Sequence, residues 1–162
     1  MSDKKIQKTN AARLLDSLGI SYSLHAFEVD EDDLSATHAA AALHAPPEQV
    51  FKTLVARGDK TGILMACIPA EAELNLKRLS QATGNKSVVL VPLREVLPLT
   101  GYIRGGCSPL CPKKTYPVWI DETALLHDHV YVSAGRRGLQ FFLHPEDLAK
   151  AAGALFVDIA DF

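Results

Sequence analysis

The sequence predicts an α+β fold, a single domain in which helices surround a mixed and mostly antiparallel sheet. Short apolar runs with strand periodicity alternate with amphipathic helical segments, and no repeat or linker interrupts them. The 162 residues are enough for one sizeable core. Apolar residues at 48% and charged residues at 22% are ordinary proportions for a globular protein. We therefore expect residues 1–162 to form one domain.

The central strand is predicted over residues 50–56, with sequence VFKTLVA. Its alternate positions are apolar on both faces, which is typical of a strand covered on both sides of a sheet. Lys52 and Thr53 interrupt this pattern, one on each face. A lysine there either reaches water from the end of the strand or lies in an apolar wall and binds an anion or a carbonyl. The pattern alone leaves both interpretations open.

The segments before this strand have clear start and stop signals. Apolar residues at helical spacing from Ala11 to Leu18 follow Asn10, a suitable N-cap, and Gly19 ends the helix. A strand is predicted over residues 22–27, and the acidic stretch 28–33 is expected to be a solvated loop. Ser35 caps a second helix that extends to about Leu43.

After the central strand, glycines in the stretch 58–62 predict a turn into an antiparallel partner strand over 63–68. Leu74, Leu76 and Leu79 indicate an amphipathic helix that ends at Gly84. A short strand follows over residues 88–91. Pro92 then starts a helical turn, and Pro98 is expected to limit it.

Residues 99–117 lack periodicity and contain three glycines and three prolines. A loop of this length within a compact domain is usually functional or disordered, and its apolar and glycine content favours function. Strands are predicted on its C-terminal side over 118–120, 130–133 and 139–143. A helix over 145–152 and a last strand over 155–159 complete the chain.

Charge and cysteine content exclude several classes of protein. A net charge of −2, from 17 basic and 19 acidic residues, argues against a protein that coats DNA or long RNA. Residues 1–5 are polar and lead into no apolar segment, so no signal peptide is expected. No apolar run approaches the length of a membrane span. Three cysteines without framework spacing indicate a reducing compartment, so the sequence predicts a cytoplasmic protein.

The long loop and the stretch 133–138 carry the candidate chemistry. Glycines between Gly105 and Pro109 would let backbone N–H groups approach a ligand such as an ester carbonyl, although an ordinary surface turn has the same composition. The stretch 133–138, with Lys113 and Lys114, either meets phosphates of a nucleic-acid end or forms a plain cationic hairpin turn.

Established types of hydrolase and metal site fit the sequence poorly. Ser108 and Ser133 lack the flanking residues of a nucleophile elbow, and no Ser-His-Asp triad can be assigned. Cys107 and Cys111 are four residues apart, but no second pair follows at zinc-binding spacing. We expect no metal and no cofactor.

Several segments, taken in order, resemble the YbaK/EbsC family of aminoacyl-tRNA deacylases, which are relatives of the editing domain inserted in bacterial prolyl-tRNA synthetase. The resemblance covers about residues 10–155, and its glycine loop fits the family's G-x-x-x-P pattern. The segments are FKTL (51–54), LTGY (99–102), GGCSPL (105–110), KK (113–114) and YVSAGRRGL (131–139).

This resemblance implies the fold of the editing domain and hydrolysis of mischarged aminoacyl-tRNA in trans, with Cys-tRNA(Pro) and Cys-tRNA(Cys) as the expected substrates. In the family, the thiol of the substrate is proposed to attack the ester, which would explain the lack of an evident protein nucleophile. Lys52 is the implied catalytic residue, orienting the substrate. The implied substrate-binding residues are Phe27, Thr53, Gly101, Gly105, Gly106, Ser108, Pro109, Ser133, Gly135 and Arg136.

The implied partners are the acceptor end of tRNA and, as a further candidate, prolyl-tRNA synthetase. Cys107, Cys111 and Pro112 depart from the better-known members, which more often have Ile at the first position and Gly-Gln at the last two. The stretch 28–37, which lines the amino-acid pocket in relatives, is acidic and shorter here. Two alternatives therefore stay open: a deacylase for alanine or another small amino acid, and a module that binds an RNA end or a synthetase without catalysis.

Overall fold

A sheet of mixed strand directions crosses the protein, and the computed structural model describes residues 7–162 of it. The polar start, residues 1–5, on which the signal-peptide expectation rests, lies outside the described residues. The strands are β1 (Ser23–Ala26), β2 (Val50–Gly58), β3 (Gly62–Pro69), β4 (Glu73–Leu74), β5 (Val88–Leu90), β6 (Val118–Asp121), β7 (Val130–Ser133), β8 (Leu139–Leu143), β9 (Leu155–Val157) and β10 (Ala160–Asp161).

Helices are interspersed with the strands along the described part of the chain. None of those in the described part of the chain could cross a membrane. The α-helices are α1 (Asn10–Ser17), α2 (Ala36–Ala42), α3 (Leu76–Thr83), α4 (Leu93–Thr100) and α5 (Pro145–Ala152). Pro47–Gln49 and Glu122–Leu126 form short 3-10 helices.

The main sheet has the strand order β1-β8-β7-β2-β3-β6-β9, and β5 also pairs with β2. Neighbours are antiparallel in the pairs β1/β8, β7/β8, β2/β3 and β2/β5. They are parallel in the pairs β2/β7, β3/β6 and β6/β9. The predicted α+β class, with a mixed sheet and surrounding helices, is confirmed.

Strand β2 has an apolar cluster on each face, as its double-sided pattern predicted. Phe51 and Val55 pack into the larger cluster, together with β7, β8 and the helices α1 and α5. Leu54 and Ala56 belong to a second cluster, which includes Leu79 from α3. The central position expected for this strand is therefore confirmed.

One edge of β2 is only partly paired, and this gap positions the site. The other edge pairs continuously with β3. At the gapped edge, β7 pairs only with Val50 and Phe51, and β5 pairs only from Ala56 onwards. In the described part of the chain, no strand pairs with residues 52–54 on this edge, where the sheet opens between β7 and β5.

Helix α1 is capped by Thr9 rather than by Asn10. The Thr9 hydroxyl oxygen accepts a hydrogen bond from the Ala12 N–H at 3.2 Å. Asn10 is the first helical residue, and its side chain instead accepts from Arg13 Nη1 at 3.1 Å. Both residue types are good caps, so the sequence alone could not choose between neighbouring positions.

The expectation that Pro98 limits its helix was wrong, because α4 continues to Thr100. Pro98 removes a single backbone donor, and the helix continues past it. The helix ends at Gly101, whose φ of +81° is left-handed and whose N–H donates to Leu97 O at 2.8 Å. A glycine in this conformation ends a helix at low cost.

The last predicted strand is also shorter than expected, since β9 ends at Val157 and a separate strand, β10, pairs with β4. The buried Asp121 carboxylate explains the break, because Oδ1 accepts from the N–H groups of Ile159 and Ala160 at 3.0 and 2.9 Å. Leu74 lies in β4 and not in the predicted helix, which starts after the Asn75 cap.

Candidate active site

A cavity of about 340 Å³ lies at the gap in the edge of β2. Its walls come from three loop or helix segments: residues 27–35, here called the strap, the start of α2, and the long loop near Gly105. Parts of β2, β5, β7 and β8 supply the rest of the lining. This volume is within the range of small-molecule sites.

Three polar side chains form a row across one face of the sheet inside this cavity. Ser133 of β7 is paired with Gln140 of β8. Lys52 is one residue beyond the parallel pair Phe51 and Val132, which places it beside Ser133. Side chains of neighbouring paired residues point to the same face, so Lys52, Ser133 and Gln140 share it. All three line the cavity.

Lys52 is half-buried, and its Nζ donates to the backbone oxygen of Ala70 at 3.1 Å. Burial lowers the pKa of this lysine from its ordinary value of 10.5, and the charge of Glu73 opposes the shift. Among the described residues, no carboxylate lies within ion-pairing distance of Nζ. Two of its three hydrogens thus remain to donate to a ligand. The lysine lines the cavity, and its role toward a ligand stays a prediction.

Ser133 is 6% exposed, and its hydroxyl oxygen accepts from the Gly135 N–H at 3.2 Å. The hydroxyl hydrogen is therefore available to a ligand in the cavity. No histidine or carboxylate hydrogen-bonds to this hydroxyl in the described part of the chain. Ser133 can hold a substrate, but it lacks the base that activates a serine nucleophile.

Thr53 lines the cavity, and its backbone faces the gapped edge of β2. Its hydroxyl lies on the opposite face of the sheet, 3.6 Å from Cys67 Sγ. At the gapped edge, Val55 O accepts from the Val91 N–H at 3.0 Å. Because backbone groups alternate along a strand, the N–H and C=O of Thr53, two residues earlier, face the same edge. They add a donor and an acceptor to the cavity wall.

Glycines allow the walls to pack closely around the cavity. Gly105 has a φ of +86°, and a Cβ there would lie 3.4 Å from Leu34 of the strap. Gly138 has a φ of +77°, and a Cβ there would lie 2.8 Å from Phe27 O and from the Val29 side chain. The Phe27 N–H also donates to Gly138 O at 2.9 Å. The strap is thus held directly against the β7–β8 hairpin and the long loop.

The structure brings five of the eleven predicted site residues together, and all assigned roles stay predictions. The residues that line the main cavity are Phe27, Lys52, Thr53, Gly105 and Ser133. Gly101 and Gly135 instead line a second cavity of about 280 Å³, beside Lys113.

The other predicted residues lie outside both cavities. Ser108 and Pro109 are buried in the long loop, where Ser108 Oγ accepts from the Leu110 N–H at 3.2 Å. A Cβ at Gly106 would lie 3.1 Å from the Arg136 backbone, so this glycine supports close packing of the loop on the hairpin. Arg136 itself is exposed.

Sequence reasoning missed several residues that line the cavity. Arg137 does so in place of its predicted neighbour Arg136, and its Nε donates to Arg104 O at 2.7 Å. Gln140 was also missed, although one polar residue within the otherwise apolar strand LQFFL was a usable signal. Asp30 and Asp33 border the cavity too, although residues 28–33 are exposed, as expected for a solvated loop.

The cysteines near the site are unsuited to nucleophilic attack. Burial raises the pKa of Cys67 to about 12, and burial likewise raises that of Cys107 to about 12, against an opposing hydrogen bond with Thr100. Both are therefore protonated thiols at neutral pH. Within residues 7–162, no three His, Cys, Asp or Glu side chains cluster closely enough to hold a metal ion.

The family model described as "Aminoacyl-tRNA editing domain" matches residues 30–151 of this chain, most of its length. The chain belongs to this family. Matched residues include Lys52, Ser133 and Gln140, so the polar row lies within the editing domain. The resemblance drawn from the ordered segments is thereby confirmed, and aminoacyl-tRNA is the substrate class of the family.

Relatives of this editing domain extend the match to nearly the full chain. It is 42% identical to "Putative Cys-tRNA(Pro)/Cys-tRNA(Cys) deacylase EbsC" of Enterococcus faecalis over 160 residues, 98% of each protein. The crystal structure titled "hypothetical protein APE2540" has a TM-score of 0.83 at 26% identity, covering 92% of this chain and 97% of that one. A structure titled "a putative trans-editing enzyme for prolyl tRNA synthetase" has the same fold, with a TM-score of 0.78 at 24% identity, covering 96% of this chain and 100% of that one.

Proposed function

We propose that this editing domain hydrolyses cysteine from mischarged tRNA in trans, with Cys-tRNA(Pro) and Cys-tRNA(Cys) as substrates. The observation that carries the proposal is Lys52, a cation without a carboxylate partner in the described chain, set beside Ser133 in a cavity bordered by Gly105. Positive charge and hydrogen-bond donors placed before the reaction stabilise the oxygen of an ester carbonyl as it becomes negative. EbsC, 42% identical, bears a deacylase name with the same substrates.

The roles that we propose for the residues of the polar row and for Thr53 follow from the hydrogen-bond donors that they offer. Lys52 orients the ester carbonyl and stabilises its developing charge, while the Ser133 hydroxyl and the Thr53 backbone bind the aminoacyl group or the terminal ribose. Gly105 shapes the wall opposite. Phe27 supplies an apolar surface from the strap. Gly101, which ends α4, and Gly135, which follows β7, would bind the substrate from the second cavity.

The nucleophile in this proposal comes from the substrate. The cysteinyl thiol loses its proton and attacks the carbonyl carbon, forming a thiolactone. The bond from that carbon to the ribose oxygen breaks, and the ribose oxygen takes the proton. Water then opens the thiolactone to free cysteine. A site with buried, protonated cysteines and a serine without a base is suited to this route, because the protein only has to position and polarise the ester.

In this proposal the protein contacts only the acceptor end of the tRNA. Arg104 and Arg137 border the cavity, and Lys113 borders the second one, so phosphates of the terminal nucleotides have nearby cations. A net charge of −2 for the whole chain leaves little capacity for a broad RNA footprint. We further propose that residues 1–162 act as one cytoplasmic unit and that prolyl-tRNA synthetase is the source of the mischarged tRNA.

Discrimination among amino acids is the physical reason for such an enzyme. A synthetase pocket for a small apolar side chain separates close isosteres poorly, so errors must be removed afterwards. The acidic strap, with Asp30 and Asp33 at the cavity, is the part that would set specificity. Its departure from better-known relatives keeps alanine as the second candidate substrate.

The test is incubation of the wild-type protein with a panel of tRNAs charged with cysteine, alanine, serine or proline. Release of cysteine, with the others retained, is the expected result. Release of alanine alone would establish the second candidate. Retention of all four amino acids together with measurable RNA binding would instead show a binding module without catalysis.

A further inference from the structure

Gln140 carries a hydrogen-bond acceptor that the described protein does not satisfy. The residue is 7% exposed, and its Oε1 is shielded from solvent without a hydrogen-bond partner. The same side chain lines the main cavity, at the end of the polar row opposite Lys52. A buried acceptor without a donor is destabilising, and natural proteins tolerate such groups mainly where a ligand or water supplies the donor.

The amide can present this oxygen to the cavity. Rotation about the last side-chain bond of a glutamine is broad and roughly two-fold, so oxygen and nitrogen exchange places easily. Oε1 makes no hydrogen bond within the described residues, so no protein donor holds it in its present position. A ligand that offers donors would therefore select the orientation in which the oxygen faces it.

We propose that Gln140 accepts a hydrogen bond from the α-ammonium group of the aminoacyl ester. This inference rests on the proposed function, because it assigns the part of the substrate next to the reacting carbonyl. An ammonium group offers three donors, whereas a phosphate or a carbonyl offers none. Lys52 repels it, so it lies on the far side of Ser133, where Gln140 is.

The spacing of the strands suits this placement. Lys52 and Gln140 are two strands apart, about 9 to 10 Å between their backbones, and side chains stand roughly perpendicular to a sheet. Within an aminoacyl ester, the carbonyl oxygen and the amine nitrogen are about 3 Å apart. With a hydrogen bond of about 2.9 Å at each end, the substrate would span the row above Ser133 once Lys52 Nζ turns from Ala70 O towards Ser133.

The acidic residues of the strap are weaker candidates for this role. Asp33 already accepts from the backbone N–H and the hydroxyl of Ser35, at 3.1 and 2.6 Å. Asp30 accepts from the Asp32 N–H at 2.9 Å. Both carboxylates are exposed, whereas the Gln140 amide is enclosed next to the reacting groups.

The experiment compares two esters of tRNA(Pro), cysteinyl and 3-mercaptopropionyl, which has the thiol but lacks the amine. Single-turnover rates are measured for wild type, Gln140→Met and Gln81→Met, the last being a matched change at an exposed glutamine of α3. Wild type and Gln81→Met are expected to prefer the cysteinyl ester by about tenfold or more, the value of one hydrogen bond to a charged group. Gln140→Met should reduce this preference by about tenfold, leaving the part that comes from the greater reactivity of an ester with an α-ammonium group.

The outcomes separate the inference from the function on which it rests. An unchanged preference in a folded Gln140→Met protein, or an equal loss of both rates, would overturn the ammonium site while leaving deacylation intact. If wild type releases neither ester, the proposed function itself is wrong. Thermal melting provides the folding control: replacing the unsatisfied amide by a thioether of similar length should leave the melting temperature unchanged or higher.

Discussion

Lys52→Met tests the electrostatic role of the lysine while keeping most of its apolar stem. The variant loses the hydrogen bond from Nζ to Ala70 O, worth about 1.5–3 kcal/mol for a charged donor. It also removes a cation whose pKa is lowered by burial, and that desolvation cost offsets part of the loss. We expect a net change in the free energy of unfolding within about 2 kcal/mol, or about 6 °C in melting temperature for a chain of this size.

Deacylation should respond much more strongly than stability. Removing one preorganised group that stabilises developing charge typically costs about 10²–10³-fold in rate. The assay is single-turnover release of cysteine from Cys-tRNA(Pro), measured beside thermal melting. Lys77→Met, at an exposed position of α3, is the matched control and should retain the wild-type rate. A folded Lys52→Met protein with a near-normal rate would refute the proposed site.

The pH dependence of stability, compared between wild type and Lys52→Met, gives an independent check on the burial of Lys52. The folded-state pKa of Lys52 is lowered, so above that pKa and up to 10.5 the unfolded chain binds more protons than the folded one. Wild-type stability attributable to Lys52 should therefore rise with pH through this window. Relative to Lys52→Met, the wild type should gain stability as pH approaches 10.5. Denaturant unfolding of both proteins at neutral pH and near pH 10.5 measures this difference in the free energy of unfolding. If the difference between wild type and Lys52→Met does not change with pH, the argument that burial lowers the pKa of Lys52 is contradicted.

Three further predictions concern the cysteines, the strap and the RNA. Cys107→Ala combined with Cys111→Ala should retain at least about half of the deacylation rate and bind no stoichiometric metal, since a protonated buried thiol is a poor nucleophile; complete loss in a folded protein would implicate a covalent route. Gly138→Ala should destabilise the protein by at least about 1 kcal/mol more than Gly153→Ala, because both glycines have left-handed φ but only the first lacks space for a Cβ. If denaturant unfolding shows the same loss of free energy of unfolding for both variants, the strap moves to accommodate the added Cβ at no cost. An acceptor-stem mimic should be hydrolysed nearly as fast as full-length tRNA, with a salt dependence equivalent to a few phosphate contacts; a steep dependence would indicate an extended RNA interface.

The sequence predicted the sheet and its central strand well, because their signals are local. Alternation over residues 50–56 and the apolar composition of β8 reflect which faces are covered, and this is visible in a single segment. The predicted ends of helices and strands were less accurate where a residue distant in sequence determines where the element ends. Asp121 ends the last strand through two hydrogen bonds, and no property of residues 155–160 reveals that partner.

The candidate site was predictable in part for the same reason. Lys52 is anomalous within its own strand, so its neighbours in sequence marked it as a candidate site residue, although the pattern alone left its surroundings open. Gln140 and Arg137 line the cavity only because β8 and the preceding turn pack beside β7 and the strap. Arg136 and Arg137 are equivalent cations in sequence, and only the direction of the turn distinguishes the one that lines the cavity from the exposed one.

The most direct test of the active site is a crystal structure with a non-hydrolysable analogue, 3′-cysteinylamino-3′-deoxyadenosine. We predict that its amide carbonyl lies within hydrogen-bonding distance of Lys52 Nζ, above Ser133, with its amine at Gln140. Binding in the second cavity beside Lys113, or on the outer surface with the main cavity unchanged, would contradict the assignment of the active site to the gap in β2.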